Sequence, residues 1–239
     1  MSGKAEGEAV WAVLPIKMLR GAKKRLAGVL EPEQRAGLVT AMTRDMLSAL
    51  TVTAGLAGTL VVSNAGEVRV LAGEYGVRCL SEGDGQGLSA AVTMAAKTLA
   101  AENIRTMMFV HGDIPLASPA DFELALASAG PEPSLTIVPC RNEDGSNLMI
   151  CKPPDVIPFA YGPASCSAHR RAAREAGAQT KILRIPGLAL DIDTPEDLAA
   201  LLRQLESGEI GANTARFLAE SGLAQGLQAR ITERDEISE

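Results

Sequence analysis

Five of the nine residues from Lys17 to Arg25 are cationic, in a chain whose formal net charge is −6. The run follows residues 10–16, an apolar stretch that reads as a buried strand. In open α/β sheets, the end of such a strand is where phosphates are held. Lys17, Lys23 and Arg25 can neutralise β- and γ-phosphates and stabilise charge developing on a pyrophosphate leaving group. The bland alternative is a solvated charge run, and position after a buried strand weighs against it. Asp113 is the second element. It lies three residues beyond the unbroken apolar run 106–110, expected to be a central strand. A carboxylate there can hold Mg²⁺ against an α-phosphate; otherwise it is a turn residue leading a helix. The third element is Asp191-Ile192-Asp193-Thr194-Pro195. Alternation puts Asp191 and Asp193 on one side of an extended segment. One can complete a metal site while the other caps the next helix, or Asp193 or Thr194 is an N-cap and nothing more.

Weaker signals surround these. Gly83, Gly85 and Gly87 can let backbone approach a base or phosphate, with Leu88 opening a helix. Their spacing misses the dinucleotide fingerprint, and an ordinary loop explains them equally well. Ser146, in Gly145-Ser146-Asn147, and Gly162 and Ser165, in Tyr161-Gly162-Pro163-Ala164-Ser165, mark two turns. Ser165 sits where a helix begins, so its hydroxyl and nearby N–H groups can bind a phosphate or carboxylate. Ordinary capping accounts for it as well. His169, one turn on, is expected at the surface rather than in catalysis.

The elements that position these groups alternate along the chain. Strands are expected over 10–16, 58–63, 77–80, 106–110, 134–139, 147–151 and 181–185. Helices are expected over 33–50, 65–75, 88–101, 119–128, 165–177, 195–205 and 213–228. The alternation predicts an α/β fold: a mostly parallel central sheet with helices on both faces. Residues 9–207 are expected to form one domain, with 208–239 a C-terminal helix and acidic tail packed on it or extending it. Aromatics are only 3% of the chain, so Ala, Val and Leu fill the core. The acidic balance argues against a nucleic-acid binder, and the local basic loop points to a small anion. Four scattered cysteines without a C-x-x-C pair argue against structural zinc or a disulfide framework. No signal-peptide core and no membrane-length apolar run stand out, so a cytoplasmic protein is expected.

Several stretches, taken in order, resemble the 2-phospho-L-lactate guanylyltransferase family of deazaflavin coenzyme biosynthesis. That family sits within the molybdenum-cofactor-guanylyltransferase-like nucleotidyltransferases. The stretches are L-P-I-K-x5-K-K-R-L-A from Leu14, H-G-D-I-P-L from His111 and G-S-N-L from Gly145. P-P-D-V-I-P-F-A-Y-G-P-A-S follows from Pro153, and P-G-L-A-L-D-I-D-T-P-E-D-L from Pro186. The resemblance implies one Rossmann-like domain of the nucleotide-diphospho-sugar-transferase type. It implies GTP as nucleotide, Mg²⁺, and a phosphorylated three-carbon acid as acceptor. The acid's phosphate attacks the α-phosphorus and pyrophosphate leaves, with no general base needed. It further implies that Leu14, Pro15, Lys17, Lys23, Gly85, Gly87 and Asp113 bind the nucleotide. Ser146, Gly162 and Ser165 would bind the acceptor, and Asp113, Asp191 and Asp193 the metal. A homodimer and a downstream transferase receiving the product are also expected.

The chain departs from the family pattern at four places. Ser146 stands where Thr is usual, Lys24 where Thr or Ser is usual, Ser89 where Asn is usual and Cys166 where an aromatic is usual. Smaller residues suggest a roomier acceptor pocket, which favours 3-phospho-D-glycerate over phosphoenolpyruvate or 2-phospho-L-lactate. Three competitors remain. A molybdopterin or sugar-phosphate nucleotidyltransferase would carry a Gly-rich first loop, and 17–25 is Gly-poor. A non-catalytic nucleotide-binding module would not need Asp113 with the 191/193 pair. An NAD-dependent dehydrogenase would need different glycine spacing.

Overall fold

The computed structural model describes residues 9–17, 19, 21–83, 87–205 and 211–223. Seven strands form one sheet: β1 (Val10–Pro15), β2 (Leu56–Val62), β3 (Arg78–Leu80), β4 (Thr106–Val110), β5 (Ser134–Pro139), β6 (Ser146–Lys152) and β7 (Gln179–Ile182). Their order is β3-β2-β1-β4-β6-β5-β7. Four of the six pairings are parallel; β6 runs antiparallel to both β4 and β5. The mostly parallel sheet expected from alternation is therefore present, with one reversed strand that a short β5–β6 connection makes possible.

Period-two side-chain alternation splits the core into two layers. Ala12, Leu14, Val61, Met108, Val110, Leu148 and Ile150 face one way, toward α1 (Pro32–Val52), α2 (Gly66–Glu74), α4 (Pro119–Ala127), α7 (Pro195–Leu205) and α8 (Ala212–Glu220). Val13, Leu60, Val62, Met107, Phe109, Ile137 and Met149 face α3 (Leu88–Ala101) and α5 (Ser165–Glu175) on the other side. Helices thus cover both faces.

Local chemistry sets the helix starts. Ser118 Oγ accepts from Asp121 N–H, Asp121 Oδ2 accepts from Ser118 N–H, and Pro119 takes the first helical position. At the head of α7, Thr194 and Asp197 make the same reciprocal pair, with Asp197 Oδ2 accepting from Thr194 N–H at 2.9 Å. α8 docks on α1 through Asp45, whose carboxylate accepts from the N–H groups and side chains of Asn213 and Thr214. Leu218 and Leu223 are buried there, so the C-terminal apolar residues pack on their own chain as far as 223. Leu227 and the expected helical extension to 228 lie outside the described residues.

Two elements differ from expectation. The last strand is Gln179–Ile182 rather than 181–185, because Pro186 opens a short helix, α6 (Pro186–Ala189), and Ile185 becomes its N-cap. Residues 24–28 of the cationic loop form a 3-10 turn, entered through Lys23 in a left-handed conformation at φ 52°.

Candidate active site

Because β6 is reversed, its first residues lie level with the end of β4: Val110 pairs with Leu148, and His111 N–H donates to the Asn147 carbonyl at 3.0 Å. The C-terminal ends of β1 and β4, the start of β6 and the segment after α6 therefore meet at one edge of the sheet. The connections diverge between β1 and β4, which is the switch-point crevice where open α/β sheets bind ligands. Ile192 N–H donates to the Asp113 carbonyl at 3.0 Å and ties the second acidic segment to the first. Asn147 Nδ2 donates to the carbonyls of Leu188 and Ala189, and reaches Asp191 Oδ1 at 3.4 Å. A buried amide thus holds the acidic segment in place.

At the centre, Lys23 Nζ lies 2.5 Å from Asp113 Oδ2 and 2.8 Å from Asp193 Oδ1. Its side chain is only 9% exposed. Burial alone would lower its pKa, but the Asp113 and Asp193 carboxylates outweigh burial and hold the ammonium above its ordinary value. Burial likewise would raise Asp113, and the Lys23 charge overrides it to keep that carboxyl low. Asp191 moves the other way: burial, then the charge of Asp113, pushes it up. Because Thr194 caps α7, Asp193 is free of the capping role its position allowed, and its carboxylate faces Lys23 and lies 4.0 Å from the exposed Arg25 guanidinium.

Among the described residues, no group of three or more His, Cys, Asp or Glu is arranged as a ready-made metal site. Mg²⁺ does not require one, since it is usually held by one or two carboxylates together with substrate phosphates. Asp113 Oδ1 is buried and has no hydrogen-bond partner, a hard oxygen left over for a cation. The donor set fits the metal.

The remaining expected residues spread around this centre. Leu14 is fully buried and Pro15 half-buried at the end of β1; Lys17 is exposed. Gly87 is the N-cap of α3 at φ 94°, with no side chain capping the helix; Gly85 lies outside the described residues. A cavity of about 680 Å³ runs along α3 from Glu82 and Gly83 to Lys97, beside that helix start. It does not reach Lys23 or Asp113.

Ser146 and Ser165 are buried, and Gly162 is exposed. α5 begins at Ser165 after a left-handed Ala164, again with no capping side chain. His169 differs from expectation. It is fully buried, on the inner face of α5 with Ser165, Cys166 and Ala173, and both its ring nitrogens have partners. Burial, with His111 adding to it, lowers its pKa to about 4. The two histidines of the chain and Phe109, Phe159 and Tyr161 form an aromatic cluster behind the site. The sequence reading missed Asn147 and His169 as site residues; Asn147 stood inside the G-S-N-L motif, the one available signal. Of the small residues behind the expected roomier pocket, Cys166 and Ser146 are buried, and Ser89 is half-buried and lines the cavity along α3.

Residues 10–224 match the family model described as "Guanylyl transferase CofC like". The chain belongs to that family. Phosphoenolpyruvate guanylyltransferase of Rubrobacter xylanophilus is 39% identical over 81% of this chain and 93% of its own length. 3-Phospho-D-glycerate guanylyltransferase of Colwellia psychrerythraea is 33% identical over 79% of this chain and 89% of its own. A solved structure from Desulfovibrio desulfuricans G20, described as a nucleotide-diphospho-sugar transferase, superposes with TM-score 0.73 at 18% identity, covering 91% of this chain and 97% of that one. The CofC-like chain thus has the nucleotide-diphospho-sugar-transferase fold expected from its sequence. Among the described residues, no helix is long and apolar enough to cross a membrane.

Proposed function

We propose that this CofC-like protein transfers guanylate from GTP to the phosphate of a small three-carbon acid, with Mg²⁺. The observation that carries the reading is Lys23 buried between Asp113 and Asp193 at the switch-point edge. A cation and two carboxylates there suit a triphosphate and its metal. Lys23, with Lys17 and Arg25 of the same cationic loop, neutralises the β- and γ-phosphates. Asp113 and Asp193 are the carboxylates that would hold the metal, which when bound would supply charge neutralisation at the reacting phosphates. Asp191, tied to Asn147, shapes that segment. Leu14, Pro15 and Gly87 are the described residues assigned to the nucleotide, together with Gly85 from the sequence pattern. Ser146, Gly162 and Ser165 hold the acid, with the uncapped start of α5 toward its negative charge.

An oxygen of the acid's phosphate forms a bond to the α-phosphorus in line, the bond to the bridging oxygen breaks, and pyrophosphate leaves. The acid's phosphate is already ionised, so positioning and charge neutralisation carry the rate. The product is a guanylate joined through a diphosphate, an activated group suited to a downstream transferase.

Relatives named for phosphoenolpyruvate and for 3-phospho-D-glycerate both match, at 39% and 33% identity respectively. Phosphoenolpyruvate is the acceptor we favour. Pyrophosphate release from GTP and Mg²⁺ with phosphoenolpyruvate, 3-phospho-D-glycerate and 2-phospho-L-lactate in parallel tests this. Acid-dependent release, greatest kcat/KM with phosphoenolpyruvate, is expected. Release with none of the three, while GTP binds, would overturn the reading.

A further inference from the structure

His169 links all three segments assigned to the acid. Its ring lies on α5, one turn beyond Ser165. Ala160 N–H donates to Nε2 at 3.0 Å, two residues before Gly162. Nδ1 lies 3.0 Å from Ser146 Oγ at the start of β6. These contacts fix the tautomer. A backbone amide can only donate, so Nε2 must present its lone pair, and a neutral ring then carries its proton on Nδ1. Ser146 Oγ is therefore the acceptor in its contact with the ring, and its own proton is left to point elsewhere. The lowered pKa agrees with a ring that is neutral near pH 7. The loop is pinned from its other side too: Tyr161 N–H donates to Ser89 Oγ at 2.9 Å, and the Tyr161 and His169 rings meet edge to face at 4.9 Å. Ser146 is almost wholly buried, so its hydroxyl is oriented from behind rather than by solvent.

We propose that His169 is a positioning residue for the phosphorylated acid, acting through the Ser146 hydroxyl and residues 160–164 without touching the substrate. This rests on the assignment of Ser146, Gly162 and Ser165 to the acid. It makes the acid site depend on one buried imidazole while the triphosphate site, built on Lys23 and Asp113, does not.

Two near-isosteric substitutions separate the two bonds. His169→Gln offers a carbonyl oxygen near the Nε2 position for Ala160 N–H and removes the donor to Ser146. His169→Asn keeps a donor near Nδ1 and removes the acceptor for Ala160. KM values for GTP and for phosphoenolpyruvate are measured separately. One lost hydrogen bond corresponds to up to roughly a tenfold rise in acid KM. Each variant is expected to show such a rise with GTP KM within about twofold of wild type. In a Ser146→Ala background, His169→Gln is expected to add little further, because its effect passes through that hydroxyl. Unchanged acid KM in both variants, equal rises in both KM values, or full additivity with Ser146→Ala would overturn the inference. Should the variants not fold, long-range ¹⁵N–¹H spectra of the wild-type imidazole decide: an Nδ1–H tautomer supports the proposal and an Nε2–H tautomer overturns it. Wild-type protein inactive with every acid would remove the function reading and this inference together. An active wild type with indifferent variants would remove this inference alone.

Discussion

Replacing Lys23 with Met removes the ammonium and keeps most of the side chain's length. This change should act in opposite directions on metal binding and on turnover. Nζ lies 2.5 Å from Asp113 Oδ2 and 2.8 Å from Asp193 Oδ1, on the two carboxylates that would hold the metal, with Asp113 Oδ1 left for the cation. A divalent cation entering at about 4 Å from that ammonium meets a repulsion of roughly 2 × 332/(80 × 4), about 2 kcal/mol, at the dielectric of water. Asp193 is 44% exposed, so the water value is a sensible floor. Removing the charge should tighten nucleotide-free metal binding about 30-fold. Mn²⁺ titration followed by electron paramagnetic resonance reads that change directly. GTP turnover should fall at least about 100-fold in the same variant, because the buried cation for the β- and γ-phosphates is gone. A melt should accompany both assays. Breaking a fully buried pair costs about 3–5 kcal/mol, and the partial exposure of both carboxylates reduces that here. Unchanged or weaker Mn²⁺ binding in a folded Lys23→Met protein would contradict this geometry, since the metal would then not sit on the carboxylates that Lys23 pairs with.

Three further outcomes follow from the same geometry. Asp113→Asn should keep the fold, weaken Mn²⁺ binding and cut pyrophosphate release by about 10³-fold or more, because one charged metal oxygen and the Lys23 counter-charge are lost together; turnover within tenfold of wild type would contradict it. Asp45→Ala should lower stability by about 2–3 kcal/mol through the lost charged hydrogen bonds to Asn213 and Thr214, with GTP turnover retained; thermal melts and kinetics on one preparation check both halves. For pH, the His169 pKa is about 4 folded against about 6.5 unfolded. Its contribution is fully present above about 6.5 and is lost as pH falls toward 4, about 3 kcal/mol in all. His111 is the other histidine near it, while the Cys166 thiol and Tyr161 phenol are both pushed up by burial and stay neutral there. Denaturant melts from pH 7 to 4 should therefore fall less steeply for His169→Gln than for wild type; parallel curves would be inconsistent with the buried neutral ring.

What the sequence made legible was local. α3, β4 and β5 occupy their expected spans because local signals mark them: Gly87 before Leu88, the apolar run over 106–110, and the β-branched Thr136, Ile137 and Val138 closed by Pro139. Ser118-Pro119 and Thr194-Pro195 announced α4 and α7, and the capping pairs are present. Lys23 and Asp113 were legible as candidates by position after strands. Their pairing was not, since it depends on a left-handed turn at a non-glycine residue and on strand order. The choice between Asp193 and Thr194 as cap was open in sequence and is settled by Asp197, three residues on from Thr194, whose carboxylate accepts from Thr194 N–H. His169 read as a surface residue because the partners that satisfy its ring, Ser146 and Ala160, are distant in sequence or lie on another element. A buried polar group is recognisable only once those partners are in place.

The central claim is acid-dependent guanylyl transfer at the Lys23–Asp113–Asp193 centre. It is tested most directly by ³¹P NMR of one reaction containing GTP, Mg²⁺, phosphoenolpyruvate and the wild-type protein, with Asp113→Asn in parallel. Pyrophosphate and a new pair of coupled diphosphate resonances are expected, forming only when acid is present and only with wild type. Inorganic phosphate in place of pyrophosphate, or an unchanged spectrum with this acid and with 3-phospho-D-glycerate and 2-phospho-L-lactate, would contradict it.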